Sequence, residues 1–295
     1  MRSRRIYVAL ALLASGVLAV AGVGELLSHP VHRSAGQPTE SLQAEAVEIP
    51  YGTGEQVSGW RVRGRAGAGA ILLLHGVRSD RRQMMARADF LRRLGHSVLL
   101  IDLPAHGESS GDRITFGVRE AKGVEAALAF MEREMPDEPI GVIGVSLGAA
   151  AFVLSAPDSH VRAVVLESMY PTIDDAVANR VVRVLGPPGG LLAPLLLWQL
   201  PLRTGISTGQ LRPIEHVGAL QAPVLIAAGA QDRHTTPAET RRIFEAAGKA
   251  GKAGEPRELW IVEGAAHVDL HAFAPQAYES RVGAFLDRYL QPKPH

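Results

Sequence analysis

The chain has 295 residues, 46% of them hydrophobic and 21% charged, and its 31 basic and 30 acidic side chains leave a formal net charge of +1. Nucleic acid finds no electrostatic footprint in that balance, and the apolar content is that of a folded globular chain, not a disordered one. With no cysteine present, disulfides, a thiolate nucleophile and cysteine-ligated zinc are excluded.

In chain order, Arg2, Arg4 and Arg5 precede an uncharged, largely apolar run from Ile6 to Gly24, about the ~20 residues a helix needs to cross a bilayer. By the positive-inside tendency the arginines stay in the cytoplasm, which makes the expected protein membrane-anchored with an extracytoplasmic catalytic domain. Ala19-Val20-Ala21 also fits a small-x-small cleavage site, so a secreted or periplasmic form after signal cleavage is the alternative. Residues 1–27 are thus read as signal anchor or signal peptide. Residues 28–41, polar with two prolines, read as a linker lifting the domain off the membrane, and 42–295 as the catalytic domain.

Within that domain, short β-rich runs alternate with helical patterns, the sign of an α/β fold with an eight-stranded, mostly parallel sheet and helices on both faces. Strands are expected at Leu42–Ile49 and Gln56–Arg63 as an opening hairpin, then at Ala70–His75, Ser97–Ile101, Ile140–Val145, Val161–Leu166, Val224–Ala228 and Glu258–Val262. Between them, Met84, Ala88, Leu91 and Leu94 recur at helical spacing, as do Ala121, Val124, Leu128 and Met131, and later Tyr278, Val282, Phe285 and Tyr289. Residues 169–221 break the alternation with a Gly-Pro-rich stretch and an apolar run from Leu191 to Leu200, and read as a cap inserted after the sixth strand.

Chemistry concentrates at strand ends. Gly144-Val145-Ser146-Leu147-Gly148 lies between an apolar strand and a helix-compatible run, the setting in which Gly-x-Ser-x-Gly makes a sharp turn that raises a serine above the sheet. A serine hydroxyl needs a neighbouring base, and the base needs an acid to hold its tautomer. His267, after the last strand, and Asp232, after the one before it, follow Ser146 in the required order. Glu167 and His271 are the competing acid and base. His75 is expected to be structural, and Asp102 and His106 to organise the site from behind. For an oxyanion, the amide of Leu147 is placed by the turn and that of Val77 by the loop after Leu72–Gly76, where Gly76 is expected to permit close approach.

With these motifs the chain, over roughly Leu42 to Leu290, resembles the α/β-hydrolases, in particular the serine aminopeptidase-like and Bem46-like hydrolases with an N-terminal membrane segment. They comprise Leu73–Gly76, Asp102–Ser109, Gly144–Gly148, Gly229–Asp232 and Gly264–His267. The resemblance implies the triad Ser146, Asp232 and His267, oxyanion amides at Val77 and Leu147, and a helical cap over the site. The loop His75-Gly76-Val77-Arg78-Ser79-Asp80 departs from the common His-Gly-x-x-Gly form by lacking its second glycine.

The expected activity is hydrolysis of a carboxylester or thioester with a small-molecule or lipid-like acyl substrate, without metal or organic cofactor. A serine aminopeptidase or an acyltransferase is the alternative within the same fold, and a catalytically silent binding module the alternative outside enzymology. Leu191–Leu200 could line an acyl pocket or pack the cap on the body, and Leu195–Leu200 could dip into the lipid interface. Asp174, Asp175 and Glu215 are the only cap acids available to hold a substrate ammonium.

Overall fold

The computed structural model describes residues 2–38, 40–157, 160–250, 256–267 and 270–290. His295 and the rest of the expected domain's final residues lie outside them. Ten strands and eleven α-helices occur in these segments. The strands β2 (Ala44–Tyr51), β3 (Glu55–Val62), β4 (Ala70–Leu74), β5 (Ser97–Ile101), β7 (Ile140–Val145), β8 (Val161–Glu167), β9 (Val224–Gly229) and β10 (Arg257–Val262) form one eight-stranded sheet in the order β10-β9-β8-β7-β4-β5-β3-β2. Only the β2–β3 hairpin and the β3–β5 pair are antiparallel.

The two central strands, β4 and β7, carry no polar side chain because both faces of the sheet are covered. Leu72, Leu74, Leu99 and Ile101 face α3 (Val118–Glu134), α4 (Leu147–Leu154) and α9 (Pro237–Ala250), whereas Ile71, Leu73, Val98 and Leu100 face α2 (Met85–Leu94) and α11 (Pro275–Leu290). The expected helical stripes supply the opposing surfaces: Ala88 and Leu91, Val124 and Met131, and Tyr278 and Val282 are all buried. This is the α/β-hydrolase architecture expected from the sequence, each large-sheet strand lying within two residues of its expected bounds.

Helices also make up the segment between β8 and β9: α5 (Ile173–Leu185), a 3-10 turn over Pro187–Leu192, α6 (Ala193–Trp198), α7 (Leu200–Thr204) and α8 (Pro213–His216). The N-terminal helix α1 (Arg2–Ser28) is long and apolar enough to cross a membrane. Its described side chains from Arg4 to Ala19 are exposed, but its last two turns pack on α6 and α7.

The stretch expected as a linker lifting the domain off the membrane is fastened to the body. Val31–His32 (β1) pairs in parallel with His106–Gly107 (β6), and the Glu108 carboxylate accepts from the Ser34 hydroxyl and the Ala35 amide. A two-residue strand carries no periodicity, so the sequence offered no pattern to find. α10 (Leu270–Phe273) completes the helices.

One buried ion pair joins the sheet to α2 and α11. Arg87 donates to Glu167 at 2.7 and 3.1 Å, and the Tyr278 hydroxyl donates to the same carboxylate at 2.5 Å, with all three side chains essentially inaccessible. Arg87→Met would leave the Glu167 carboxylate buried without its cation, so we expect a loss of about 3–5 kcal/mol, seen as a lowered thermal midpoint in detergent.

Candidate active site

Four loops at the carboxyl ends of parallel strands build the site. Between β7 and α4 the chain turns at Ser146 with φ 50° and ψ −105°, a conformation that residues with a Cβ rarely adopt. Its flanking glycines make the turn possible. A Cβ on Gly144 would lie 2.6 Å from the Ala149 nitrogen, and one on Gly148 2.5 Å from the Leu74 carbonyl oxygen. The Ser146 amide donates to the Glu167 carbonyl at 2.7 Å and ties the turn to β8. Leu147 opens α4, where backbone N–H groups have no partner within the helix.

Ser146, Leu147 and Val77 line one cavity of about 170 Å³. Phe116 forms part of its wall from the body, Tyr170, Ile173, Leu196, Leu197 and Leu200 close it from the cap segment, and Gly24, Leu27 and Ser28 of α1 complete it. Its surface is overwhelmingly apolar. The contribution of α1 was not anticipated from sequence.

Asp232 follows β9 and His267 follows β10. Their contact is direct: His267 Nδ1 lies 2.7 Å from Asp232 Oδ2, while Asp232 Oδ1 accepts the amides of His234 and Thr235 at 2.8 and 2.9 Å. Burial alone would raise the Asp232 carboxyl, but the hydrogen bond and charge of His267 and the two amides outweigh it and hold its pKa below the usual aspartate value. Nδ1 of His267 being occupied, its Nε2 is the ring nitrogen left to work on a substrate or nucleophile.

The competing residues are engaged elsewhere. Glu167 is held by Arg87 and Tyr278, and His271 pairs with Glu279 at 3.2 Å. His75 uses both ring nitrogens on the backbone: Nδ1 donates to the Gly76 carbonyl at 2.7 Å and Nε2 accepts the Leu103 amide at 3.0 Å. Asp102 accepts the amides of Arg81 and Glu108 at 2.7 and 2.8 Å and pairs with the Arg81 guanidinium at 3.1 Å. His106 packs edge-on against His75. This network braces the loops below Val77.

Two features differ from expectation or were missed. Gly76 is not required by packing, since an added Cβ would meet nothing nearer than Gln83 Oε1 at 3.5 Å. The strained residue of that loop is Arg78, at φ 60°, whose guanidinium donates to the Leu26 carbonyl of α1 at 2.7 Å. His234, two residues beyond Asp232, lies against the His267 ring with centroids 4.7 Å apart. Burial, followed by the repulsion of His267, lowers its pKa to about 4. Its position beside Asp232 was the one available sequence signal. Among the described residues no group of three His, Asp or Glu side chains could hold a metal ion.

A family model described as the alpha/beta hydrolase family matches residues 71–281. The chain belongs to that family. Among its relatives, the uncharacterized protein YqkD of Bacillus subtilis is 23% identical over 252 residues, covering 84% of this chain and 81% of that protein. The uncharacterized protein MT2364 of Mycobacterium tuberculosis is 28% identical, covering 80% and 75%. Among solved structures of this α/β-hydrolase fold, the Pyrococcus furiosus esterase Pf2001 superposes with a TM-score of 0.71 at 24% identity, covering 89% of this chain and all of the esterase. An acylaminoacyl peptidase of Pyrococcus horikoshii gives 0.63 at 15% identity, covering 85% of this chain and 42% of the peptidase.

Burial lowers the pKa of His75 from 6.5 to about 3, so the folded protein keeps this ring neutral where the unfolded chain takes up a proton. The stability held at this site is therefore complete above pH 6.5 and is lost as pH falls from there towards 3. In a histidine NMR titration, the His75 ring resonances are expected to remain at their neutral positions down to about pH 4.

Proposed function

We propose that the protein is a serine hydrolase that cleaves a carboxylester or thioester through an acyl-enzyme, with Ser146 as nucleophile, His267 as general base and Asp232 as the positioning acid. The observation that carries this reading is the 2.7 Å contact of His267 Nδ1 with a buried Asp232, at the same sheet edge as a strained, cavity-lining Ser146. In the first step, Ser146 Oγ bonds to the acyl carbon as its proton passes to His267 Nε2, and the carbonyl electron pair moves onto oxygen. The amides of Val77 and Leu147 would receive that oxyanion. Collapse expels the alcohol or thiol, protonated by His267; water then attacks the acyl-enzyme by the same route, releasing the acid and restoring Ser146.

The cavity favours an acyl group over a peptide amine. Asp175 is committed to Thr172 and Arg242, and Glu215 to Arg212, and neither they nor Asp174 line the cavity. An aminopeptidase would need a carboxylate there to hold a substrate ammonium. An apolar wall suits an acyl chain. Acyl transfer to an alcohol uses the same intermediate and would differ only in which hydroxyl replaces water.

For location, we infer a retained anchor, with the catalytic body placed outside the cytoplasm by the positive-inside tendency of Arg2, Arg4 and Arg5. Cleavage after Ala21 would remove the carbonyls of Val20 and Ala21 to which Gln199 and Arg203 donate at 3.0 and 2.6 Å.

Fluorophosphonate labelling followed by peptide mapping tests the nucleophile. An adduct on Ser146, absent in Ser146→Ala, is the expected result, whereas a folded protein that stays unlabelled would favour the silent binding module. Asp232→Asn should retain the fold and lower kcat on p-nitrophenyl esters by about 10³–10⁴-fold, because the amide holds the wrong imidazole tautomer. A loss below tenfold would remove Asp232 from this role.

A further inference from the structure

α1 ends inside the site, and the cap grips it. Glu25 Oε1 accepts from Arg113 at 2.6 Å and Oε2 from the cap residue Arg203 at 2.5 Å. Arg78, beside Val77, donates to the Leu26 carbonyl, and the Ile114 amide donates to that of Ser28 at 2.9 Å. Arginines gathered at a helix C-terminus meet its exposed carbonyls and the negative end of its dipole. Gly24 lies against the Gln199 side chain so closely that any Cβ there would overlap it.

The helix supplies a depth scale. At 1.5 Å per residue, Arg5 to Glu25 spans about 30 Å, the thickness of a hydrocarbon core. Gln199 and Arg203 reach the helix at Val20 and Ala21, about 6–8 Å deeper than Glu25 along the same axis. With Arg5 at one membrane face, α6 and α7 therefore lie below the opposite headgroup level, at the depth where interfacial amphipathic helices rest.

Their surface fits that position. From Val184 to Leu202 there is no charged residue. Leu191, Trp198 and Leu202 are 83%, 74% and 74% exposed, and Leu195 is half exposed. Contiguous apolar exposure of this kind marks a membrane or partner surface, and here it is continuous with α1, the helix of bilayer-spanning length on which α6 and α7 pack. On the inner side of the same helices, Leu196, Leu197 and Leu200 line the cavity of Ser146.

We propose that the cap segment 187–202 is seated in the acyl boundary of the leaflet beside the catalytic body, and that the cavity takes the acyl chain of a membrane-resident ester directly from that leaflet. The bilayer is the occupant of the exposed face. The substrate half of this inference rests on the serine-hydrolase reading; the seating half does not.

Both halves are tested with the full-length chain in phosphatidylcholine vesicles. Lipids brominated on their acyl chains should quench a component of the tryptophan emission that is missing in Trp198→Phe; Trp60 is buried and serves as the internal reference. Wild-type emission insensitive to bromine, or equal quenching in the variant, overturns the seating. For the substrate, Trp198→Glu with Leu202→Glu should lower hydrolysis of vesicle-held p-nitrophenyl palmitate by at least about tenfold, the scale of one leucine's transfer from water. Hydrolysis of dissolved p-nitrophenyl acetate and labelling of Ser146 should stay unchanged, since neither residue lines the cavity. Equal loss on both esters, or loss on neither, overturns direct uptake from the leaflet. An unlabelled Ser146 in a protein whose Trp198 is quenched would remove the hydrolase reading and the substrate with it, and leave the seating established.

Discussion

Ser146 has a backbone conformation that its own side chain disfavours, and the surrounding packing is arranged to maintain it. Strain of this kind, of order 1–3 kcal/mol, persists only where neighbours over-determine the geometry. Gly148 lets α4 start against the Leu74 carbonyl, Gly144 lets β7 lie under Ala149, and the Glu167 carbonyl takes the Ser146 amide. Glu167 is in turn immobilised through its side chain by Arg87 and Tyr278. The chain of constraint thus runs from the far face of the sheet, through a buried ion pair, to the serine.

A second set of contacts fixes the other boundary of the cavity. The apolar cap helices and α1 have little use for water, yet each presents polar groups where they meet: Gln199 and Arg203 to helix carbonyls, Glu25 to Arg113 and Arg203. Such groups make the packing directional, because a carboxylate shared by two guanidiniums fits only one rotation of the helix. The cap, the helix and the loop of Val77 are therefore set relative to one another by the last two turns of α1.

The sheet was legible because buried parallel strands must be apolar throughout and because their flanking helices repeat at 3.6 residues. The cap showed itself as the place where that alternation stopped. Ser146, Asp232 and His267 were singled out by chain order at strand ends, and the Asp232–His267 contact joins residues that the sequence separates only by a strand and a helix. Less could be read where contacts are remote or short. Glu25 lies 88 and 178 residues from its two arginines, and no spacing rule links them. The pairing of Val31 and His32 is too brief to show a period, and the positive φ at Arg78 occurs in a residue type that gives no warning of it. His234 lies against His267 only because two adjacent strand-end loops converge.

The pairing of Val31–His32 with His106–Gly107 has a kinematic consequence. A free spacer of fourteen residues would let the body wander through roughly 20 Å of height and any azimuth above a membrane. Fastened at Val31, Ala35 and again at Glu25, the body has no such excursion and must turn and drift as one piece with α1. For the anchored form proposed above, encounter with anything held in the same bilayer would become lateral diffusion in a plane at fixed orientation, with one rotation about the membrane normal as its remaining freedom.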